Sequence, residues 1–228
     1  MSNELLWVLF ALFDLTMVIV MFRFFGRVGL FGLIVFNLIV CNLQVIKTVE
    51  LFGLTTTLGN ILYASVYLST DILSEFYGKK EAQRGVLLGF VALLLMTVYM
   101  QLALQFTPTA EDFAQPHLEA IFGFMPRLTL ASMAAYLMSQ SYDVWAFHAI
   151  RKRTGSKFLW LRNNMSTLVS QLLDSAVFCC IAFWGVFETP VFLEILLTTY
   201  LFKAVVAALD TPFIYFARRV EPLVHRVA

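Results

Sequence analysis

Residues 85–106 read GVLLGFVALLLMTVYMQLALQF, an apolar run without one charged side chain. A helix needs about 20 such residues to cross the hydrocarbon of a bilayer, and this run is long enough. Six further stretches of similar length and character lie on either side of it: Leu5–Phe22, Val28–Ile46, Leu54–Leu73, Arg127–Ile150, Asn164–Phe187 and Val191–Phe216. Only Glu188-Thr189-Pro190 parts the last two. Merged, they would be far too long for one span, and a proline disfavours a helical residue just before it. The reading is an all-α, polytopic transmembrane helical bundle of about seven spans, or six if Leu5–Phe22 lies on the surface. The third stretch is the most polar.

The whole chain agrees. Hydrophobic residues make up 60% of its 228 positions and charged residues 14%, with a mean hydropathy of +0.80. Soluble domains carry about 25% charged residues, so this much apolar surface needs lipid as its solvent. A net charge of +1 excludes a basic nucleic-acid binder. Cys41, Cys179 and Cys180 fall in apolar runs without CxxC spacing, which suggests neither a disulfide framework nor a metal site. The first residues lack a positive n-region, and Leu5–Phe22 ends in Arg23 rather than a small-residue cleavage site, so the first segment is expected to remain.

Orientation follows from the loops. One side collects Arg23, Arg27, Lys79, Lys80, Arg84, Arg151, Lys152, Arg153, Lys157, Arg162, Arg218, Arg219 and Arg226. The other has Lys47 and Arg127 beside Glu50, Glu111, Asp112, Glu119, Glu188 and Glu194. By the positive-inside rule the C-terminus is cytoplasmic and the N-terminus outside. The outer stretch Thr107–Pro126 is too short for a domain, so residues 1–228 form one integral membrane unit.

Charges at bilayer depth cost about 2.5–3.5 kcal/mol even on lenient scales, so they face partners or a watery cavity. At a helical rise of about 1.5 Å per residue, Asp143 lies roughly 12 Å and Asp174 about 15 Å from the inner ends of their helices, and Lys203 roughly 18 Å from the outer end of its own. All three fall near the midplane. Gln140 and Asp143, and Gln171 and Asp174, are each three apart and share a helix face. Two successive helices thus repeat Ser-Gln-x-x-Asp, at Ser139–Asp143 and Ser170–Asp174. A carboxylate beside an amide suits a flat polar heterocycle such as a guanine-like base. Mutual neutralisation of Asp143, Asp174 and Lys203 that only pins helix packing is the plainer alternative.

Asn60 stands high in the third span; Asp71 and Glu75 share a face near its inner end, as an interfacial pair with Lys79 or Lys80 or as part of a gate. Asn42 and Gln44 sit near the outer mouth. Tyr67, Trp145, Phe178 and Trp184 are candidates to stack on a planar ligand, although any one of them is more often packing. Trp160 reads as an interface anchor. Asp14 lies mid-span without a sequence-local partner. An intramembrane enzyme would need an HExxH pair, a GxSG nucleophile or a GxGD signature; His117, His148 and His225 fall in a loop, near a helix end and in the tail. A structural or assembly subunit is the rival from another class.

The blocks Ser69-Thr70-Asp71-Ile72-Leu73-Ser74-Glu75-Phe76-Tyr77-Gly78, Gln140-Ser141-Tyr142-Asp143-Val144-Trp145-Ala146-Phe147, Trp160–Thr167, Ser170–Ser175, Phe178–Trp184 and Tyr200-Leu201-Phe202-Lys203 stand in a fixed order. In them the chain resembles the queuosine precursor transporter family, the YhhQ-like, vitamin-uptake-transporter-like membrane proteins. The resemblance covers roughly residues 29 to 216. Members commonly show six spans, so residues 1–27 are an additional N-terminal helix, 28–216 the transporter core and 217–228 a cytoplasmic tail. The resemblance implies uptake of 7-cyano-7-deazaguanine or 7-aminomethyl-7-deazaguanine across a bacterial inner membrane, by a non-enzymatic carrier without a cofactor. Another vitamin or purine-like solute is the alternative. The expected substrate site is Asn60, Asp71, Gln140, Asp143, Gln171, Asp174 and Lys203, with Phe178 and Trp145 as aromatic walls. Its partners would be the small base and the lipid bilayer, with no nucleic acid; a homo-oligomer is left open. Helices one and two show no clear Ala-xxx-Ala face of the kind that docks an energising subunit, which favours a stand-alone carrier.

Overall fold

The structure, a computed structural model, describes residues 2–154, 159–217, 219 and 220. The side chains of residues 140, 143, 144, 147, 148, 150–154, 159–168, 206–211 and 214 lie outside that description. In chain order the described elements are α1 (Asn3–Gln44), β1 (Thr48–Leu51), β2 (Leu54–Thr57), α2 (Asn60–Tyr77), α3 (Lys79–Ala103), α4 (Gln115–Phe122), α5 (Met125–Thr154), α6 (Leu159–Phe183) and α7 (Thr189–Ala217).

The first two apolar stretches of the sequence both fall in α1, with no loop between them. They part at Gly26, whose φ of 56° and ψ of −133° are not helical. Only glycine, without a Cβ, takes up such a conformation readily. Asp14 and Asn37 lie 23 residues apart yet hydrogen-bond at 3.0 Å; a straight helix would hold them about 35 Å apart. The chain therefore doubles back at Gly26 into two antiparallel limbs, residues 3–25 and 27–44. Leu15, Val18 and Phe22 of one limb and Leu30, Ile34 and Leu38 of the other are all buried. Arg27, just past the bend, meets Glu81 at 3.2 Å, and Glu81 also holds Arg84. The basic groups at 27 and 84 thus share one end of the bundle.

The third expected span, Leu54–Leu73, is corrected. Thr48–Leu51 and Leu54–Thr57 pair as an antiparallel hairpin, with Leu51 opposite Leu54, so the fold is not purely helical. The turn is Phe52-Gly53, both at positive φ (53° and 75°), the geometry that matches the twist of a two-residue hairpin. Three consecutive threonines, 55–57, favour extended backbone because branching at Cβ stiffens χ1. The helix starts only at Asn60 and runs to Tyr77, four residues beyond the expected end.

The later apolar segments are helical, with shifted ends: α3 stops at Ala103 and α6 at Phe183, short of the expected Phe106 and Phe187, while α5 and α7 run slightly past their expected bounds. Residues 85–103 of the expected Gly85–Phe106 lie in α3, whose first turns also carry Lys79–Arg84. Gly85 and Gly89, one turn apart, face the second limb of α1: a Cβ at either position would come 3.1 or 3.2 Å from Ile34. Small residues at this spacing let two backbones approach closely, which is how helices gain dispersion energy in lipid. Thr97 and Thr129 share a buried hydroxyl contact of 2.7 Å that ties α3 to α5. The stretch Thr107–Pro126 holds the short helix α4, preceded by Asp112, whose carboxylate accepts from the amides of Ala114 and Gln115. Gly185, at φ 76°, separates α6 from α7. Arg127 donates to the carbonyls of Ile181 and Trp184, both at 2.6 Å, satisfying groups that the end of α6 leaves open.

By length and composition, three described helical stretches are long and apolar enough to cross a membrane: Asn3–Gln44, Lys79–Ala103 and Gln115–Ser139. On α3, Leu87, Leu88, Val91, Leu94, Leu95, Val98 and Leu102 are exposed while Val86, Phe90 and Leu93 are buried. A helix with leucines along its outward face is solvated by lipid.

Replacing Gly26 by alanine is expected to cost about 1–3 kcal/mol, since the backbone there is open essentially to glycine alone. Gly32→Ala, where a Cβ would meet nothing within 4 Å, is the control. Thermal melts of the detergent-solubilised variants check this: a lowered midpoint for Gly26→Ala only supports the fold-back, and equal midpoints refute it.

Candidate functional site

A cavity of about 30 Å³ lies between the second limb of α1, the start of α2, and α5, α6 and α7. Asn42 and Cys41 reach it from α1, Asn60 and Tyr63 from α2, Ser132 and Ala135 from α5, Asp174 and Phe178 from α6, and Thr199 and Lys203 from α7. Apart from the adjacent Cys41 and Asn42, each helix delivers these side chains at a spacing of three or four residues, as a single face requires.

At its centre Lys203 Nζ meets Asp174 Oδ2 at 2.5 Å. The two residues are 8% and 3% exposed, so the pair stands almost wholly out of water. Ser139 donates to the other carboxylate oxygen at 3.3 Å. The Lys203 ammonium also lies 4.8 Å from the centre of the Tyr63 ring, a cation–π contact that is strengthened when desolvated. The carboxamide of Asn42 is fully engaged: its nitrogen donates to the Leu38 carbonyl at 2.8 Å and its oxygen accepts from Ser132 at 2.7 Å. Asn60 donates weakly to the Thr57 carbonyl at 3.4 Å. Thr199 Oγ and Ser175 Oγ are buried without a hydrogen-bond partner among the described residues. The site therefore offers a carboxylate, an ammonium, a loosely held amide, a spare hydroxyl and two aromatic rings.

Val45 and Gly59, just before and just after the hairpin, line one end of this cavity. Glu194 of α7 accepts from the Thr55 amide at 2.9 Å, and Thr198 donates to the Thr55 carbonyl at 3.3 Å. On the other side Glu4 accepts from the Phe52 amide at 3.2 Å, and Asn3 donates to the Glu50 carbonyl at 3.1 Å. The amide of its own residue and that of Phe52 hold the Glu4 carboxyl below the usual carboxylate range. Toward the opposite end a larger cavity, about 230 Å³, runs past Tyr67, Thr70, Asp71, Lys79 and Gln83. Tyr63 lines both cavities and is the partition between them.

Of the residues singled out in the sequence, Asn60, Asp174, Phe178 and Lys203 come together around the central cavity. Asp71 lines the larger one instead. Gln171 is half-buried one turn from Asp174 but does not line the cavity. Trp145 is 64% exposed, its ring 5.7 Å from that of Tyr142, and lines neither cavity. The side chains of Gln140 and Asp143 lie outside the described residues, as does Trp160. Tyr63, Cys41, Ser132 and Thr199 were not read from the sequence. Tyr63 was within reach, standing three residues after Asn60 on the same face; Ser132 and Thr199 carry no signal that separates them from ordinary helix-packing hydroxyls.

Against known proteins, residues 57–217 match a family model described as "Putative vitamin uptake transporter". Over 223 residues, covering 97% of both chains, the sequence is 45% identical to the "Probable queuosine precursor transporter" of Bacillus subtilis (strain 168). It is 30% identical over 186 residues to the "Queuosine precursor transporter" of Escherichia coli (strain K12), covering 78% of this chain and 81% of that one. No solved structure matches. The matched family region takes in α2 to α7, the elements that carry Asn60, Asp174 and Lys203, and the second relative is similar over most of its length. The chain is thus a helical membrane protein, a transporter rather than an enzyme, and it belongs to the queuosine precursor transporter family.

Proposed function

We propose that the protein imports the 7-deazaguanine precursors of queuosine, 7-cyano-7-deazaguanine or its aminomethyl relative, across the bacterial inner membrane. The observation that carries this reading is the buried Asp174–Lys203 pair facing Tyr63, Phe178 and Asn60. A guanine-like base has a ring N–H and an exocyclic amine that pair in one plane with a carboxylate. Asp174 accepts from them once Lys203 swings aside; Asn60 orients the ring's carbonyl edge, and Tyr63 or Phe178 stacks on its face. Asp143 and Gln140 complete the wall from α5. The names of the two relatives point to the same solute class. Another vitamin or purine-like solute is the second reading, favoured by the broader description of the family.

The transport path uses seven crossings: the two limbs of α1, then α2, α3, α5, α6 and α7, with the N-terminus outside and the C-terminus in the cytoplasm. The whole chain is one membrane domain, with residues 1–27 added to the core 28–216 and a cytoplasmic tail at 217–228. The hairpin is the outer roof and Tyr63 the inner partition. A cavity of about 30 Å³ has room for about one water, so a base enters only when the roof or the partition moves. The carrier works in turn from each side, Asp71 lining the inner vestibule on the way out.

Three measurements test this reading. Saturating 7-cyano-7-deazaguanine, at 100 times its dissociation constant, adds about 2.7 kcal/mol to the folded state and raises the melting point of the purified protein, whereas guanine and biotin do so less. No shift with the deazaguanine sinks the substrate assignment. Asp174→Asn and Lys203→Met singly leave a stranded buried charge or an unmatched partner and each cost about 3–5 kcal/mol of stability. The double variant recovers much of that stability but still fails to bind the base; binding by the double variant removes Asp174 from the site. Finally, with Cys179 and Cys180 changed to serine, Glu194→Ala is expected to raise labelling of Cys41 by an impermeant thiol reagent added from outside. Unchanged labelling means that the hairpin is not the roof.

A further inference from the structure

Outside the base site the first limb of α1 brings a second carboxylate into the core. Asp14 is 5% exposed. Asn37 of the other limb donates one amide hydrogen to Asp14 Oδ1 at 3.0 Å and another to Ser65 Oγ of α2 at 2.5 Å. Ser65 in turn donates to the Leu62 carbonyl at 2.8 Å. Asn37 donates to both neighbours, and the Ser65 hydroxyl, which accepts from Asn37, lies within hydrogen-bonding reach of the Leu62 carbonyl and of the Asp14 carboxyl. Asp14 Oδ2 and, one turn along α2 from Ser65, Ser69 Oγ are buried with no hydrogen-bond partner among the described residues.

The other titratable groups around this cluster do not neutralise it. On the second limb, the Cys41 thiol lies within electrostatic reach of both Asp14 and Lys203. Lys203 of α7 is already paired with Asp174. On α2, Tyr63, Tyr67 and Asp71 line the cavities, and the charges of α3 sit in its first turns, with Glu81 taken by Arg27 and Arg84. Among the described residues no lysine, arginine or histidine bonds Asp14. An ionised carboxylate here would be a bare charge in low dielectric, which folded proteins do not tolerate without a partner.

We propose that Asp14 is a proton-binding site that couples transport to inward proton flow. One proton adds to the carboxylate at Oδ2, the oxygen without a donor, giving a neutral acid held by Asn37 through Oδ1. The same proton leaves from Oδ2 when the core opens inward. A bound metal cation fits the cluster poorly, because Asn37 turns its N–H, not its oxygen, toward the carboxylate. Coupling has a physical route. Asn37 and Ser65 each adjoin a wall residue of the inner cavity, Leu38 and Val66, and Cys41 and Tyr63, on the same two helices, line the base site. A shift of α2 against α1 that opens the base site inward also admits water to Asp14.

This inference rests on the transporter reading, so its test separates the two. In proteoliposomes with substrate in the external medium, a wild-type carrier is expected to concentrate 7-cyano-7-deazaguanine inside about tenfold per unit of inward pH gradient, with one proton accompanying each base. Asp14→Asn, neutral and nearly isosteric, is expected to keep base binding in an equilibrium assay but to lose the response to the gradient. Wild-type uptake indifferent to pH, uptake driven by a sodium gradient instead, or gradient-driven uptake by Asp14→Asn would each overturn the proposal. If wild-type protein binds no base, the substrate assignment fails, and infrared difference spectra decide on Asp14 alone. A protonated-carboxyl band at neutral pH that is absent from Asp14→Asn and disappears at alkaline pH supports the site. No such band, or one that never titrates, refutes it.

Discussion

Asp174 and Lys203 meet in the middle of an apolar bundle, and much of the architecture follows from the need to keep them together there. Two charges taken out of water recover the cost only through close contact and further hydrogen bonds. The contact fixes α6 against α7, Ser139 brings in α5, and the Tyr63 ring beneath the ammonium brings in α2. Four helices thus converge on one ion pair, and the cavity is the small volume that their side chains leave around it. An arrangement of this kind is held together strongly when empty and has a natural competitor in any ligand that presents N–H groups to the carboxylate.

The ends of the bundle are built on different terms. At one end the hairpin is held by backbone groups reaching Glu4 and Glu194, contacts at the edge of water that break and form at little net cost. At the other, Tyr63 is a side chain shared by the walls of the central cavity and of a larger one. A transporter needs two barriers that can open without disturbing the core between them. Polar surface latches and one aromatic ring meet that need better than a second buried ion pair would.

The fold-back of α1 sets its first limb against its second, both of them ahead of the matched family region. It brings Asp14 to Asn37 and Ser65 and closes the flank of α2, while its outer face is left to lipid. Its cost is the backbone conformation at Gly26, and its return is the buried leucine and phenylalanine contact along both limbs.

The amino-acid order alone determined that this chain is a helical membrane protein, that six of its seven apolar segments fall in helices over most of their length, and that Asp174 and Lys203 lie at matching heights along their helices. These are consequences of composition and of a fixed rise per residue, which act locally. It also marked Asn60 and Phe178, because helical spacing places them on faces with other polar or aromatic groups. It did not distinguish Leu54–Thr57 from the start of a helix: apolar content is the same in both, and the preference of three threonines for strand is decided by a partner strand and by Glu194 from the far end of the chain. Nor could it tell which side of a helix meets which neighbour. Trp145 turned outward, Asp71 into the larger cavity and Tyr63 into the centre because helix rotation is set by packing, as where Gly85 and Gly89 admit Ile34. The bend at Gly26, and with it the meeting of Asp14 and Asn37, is a contact across 23 residues that no local periodicity encodes; only the tertiary structure decided it.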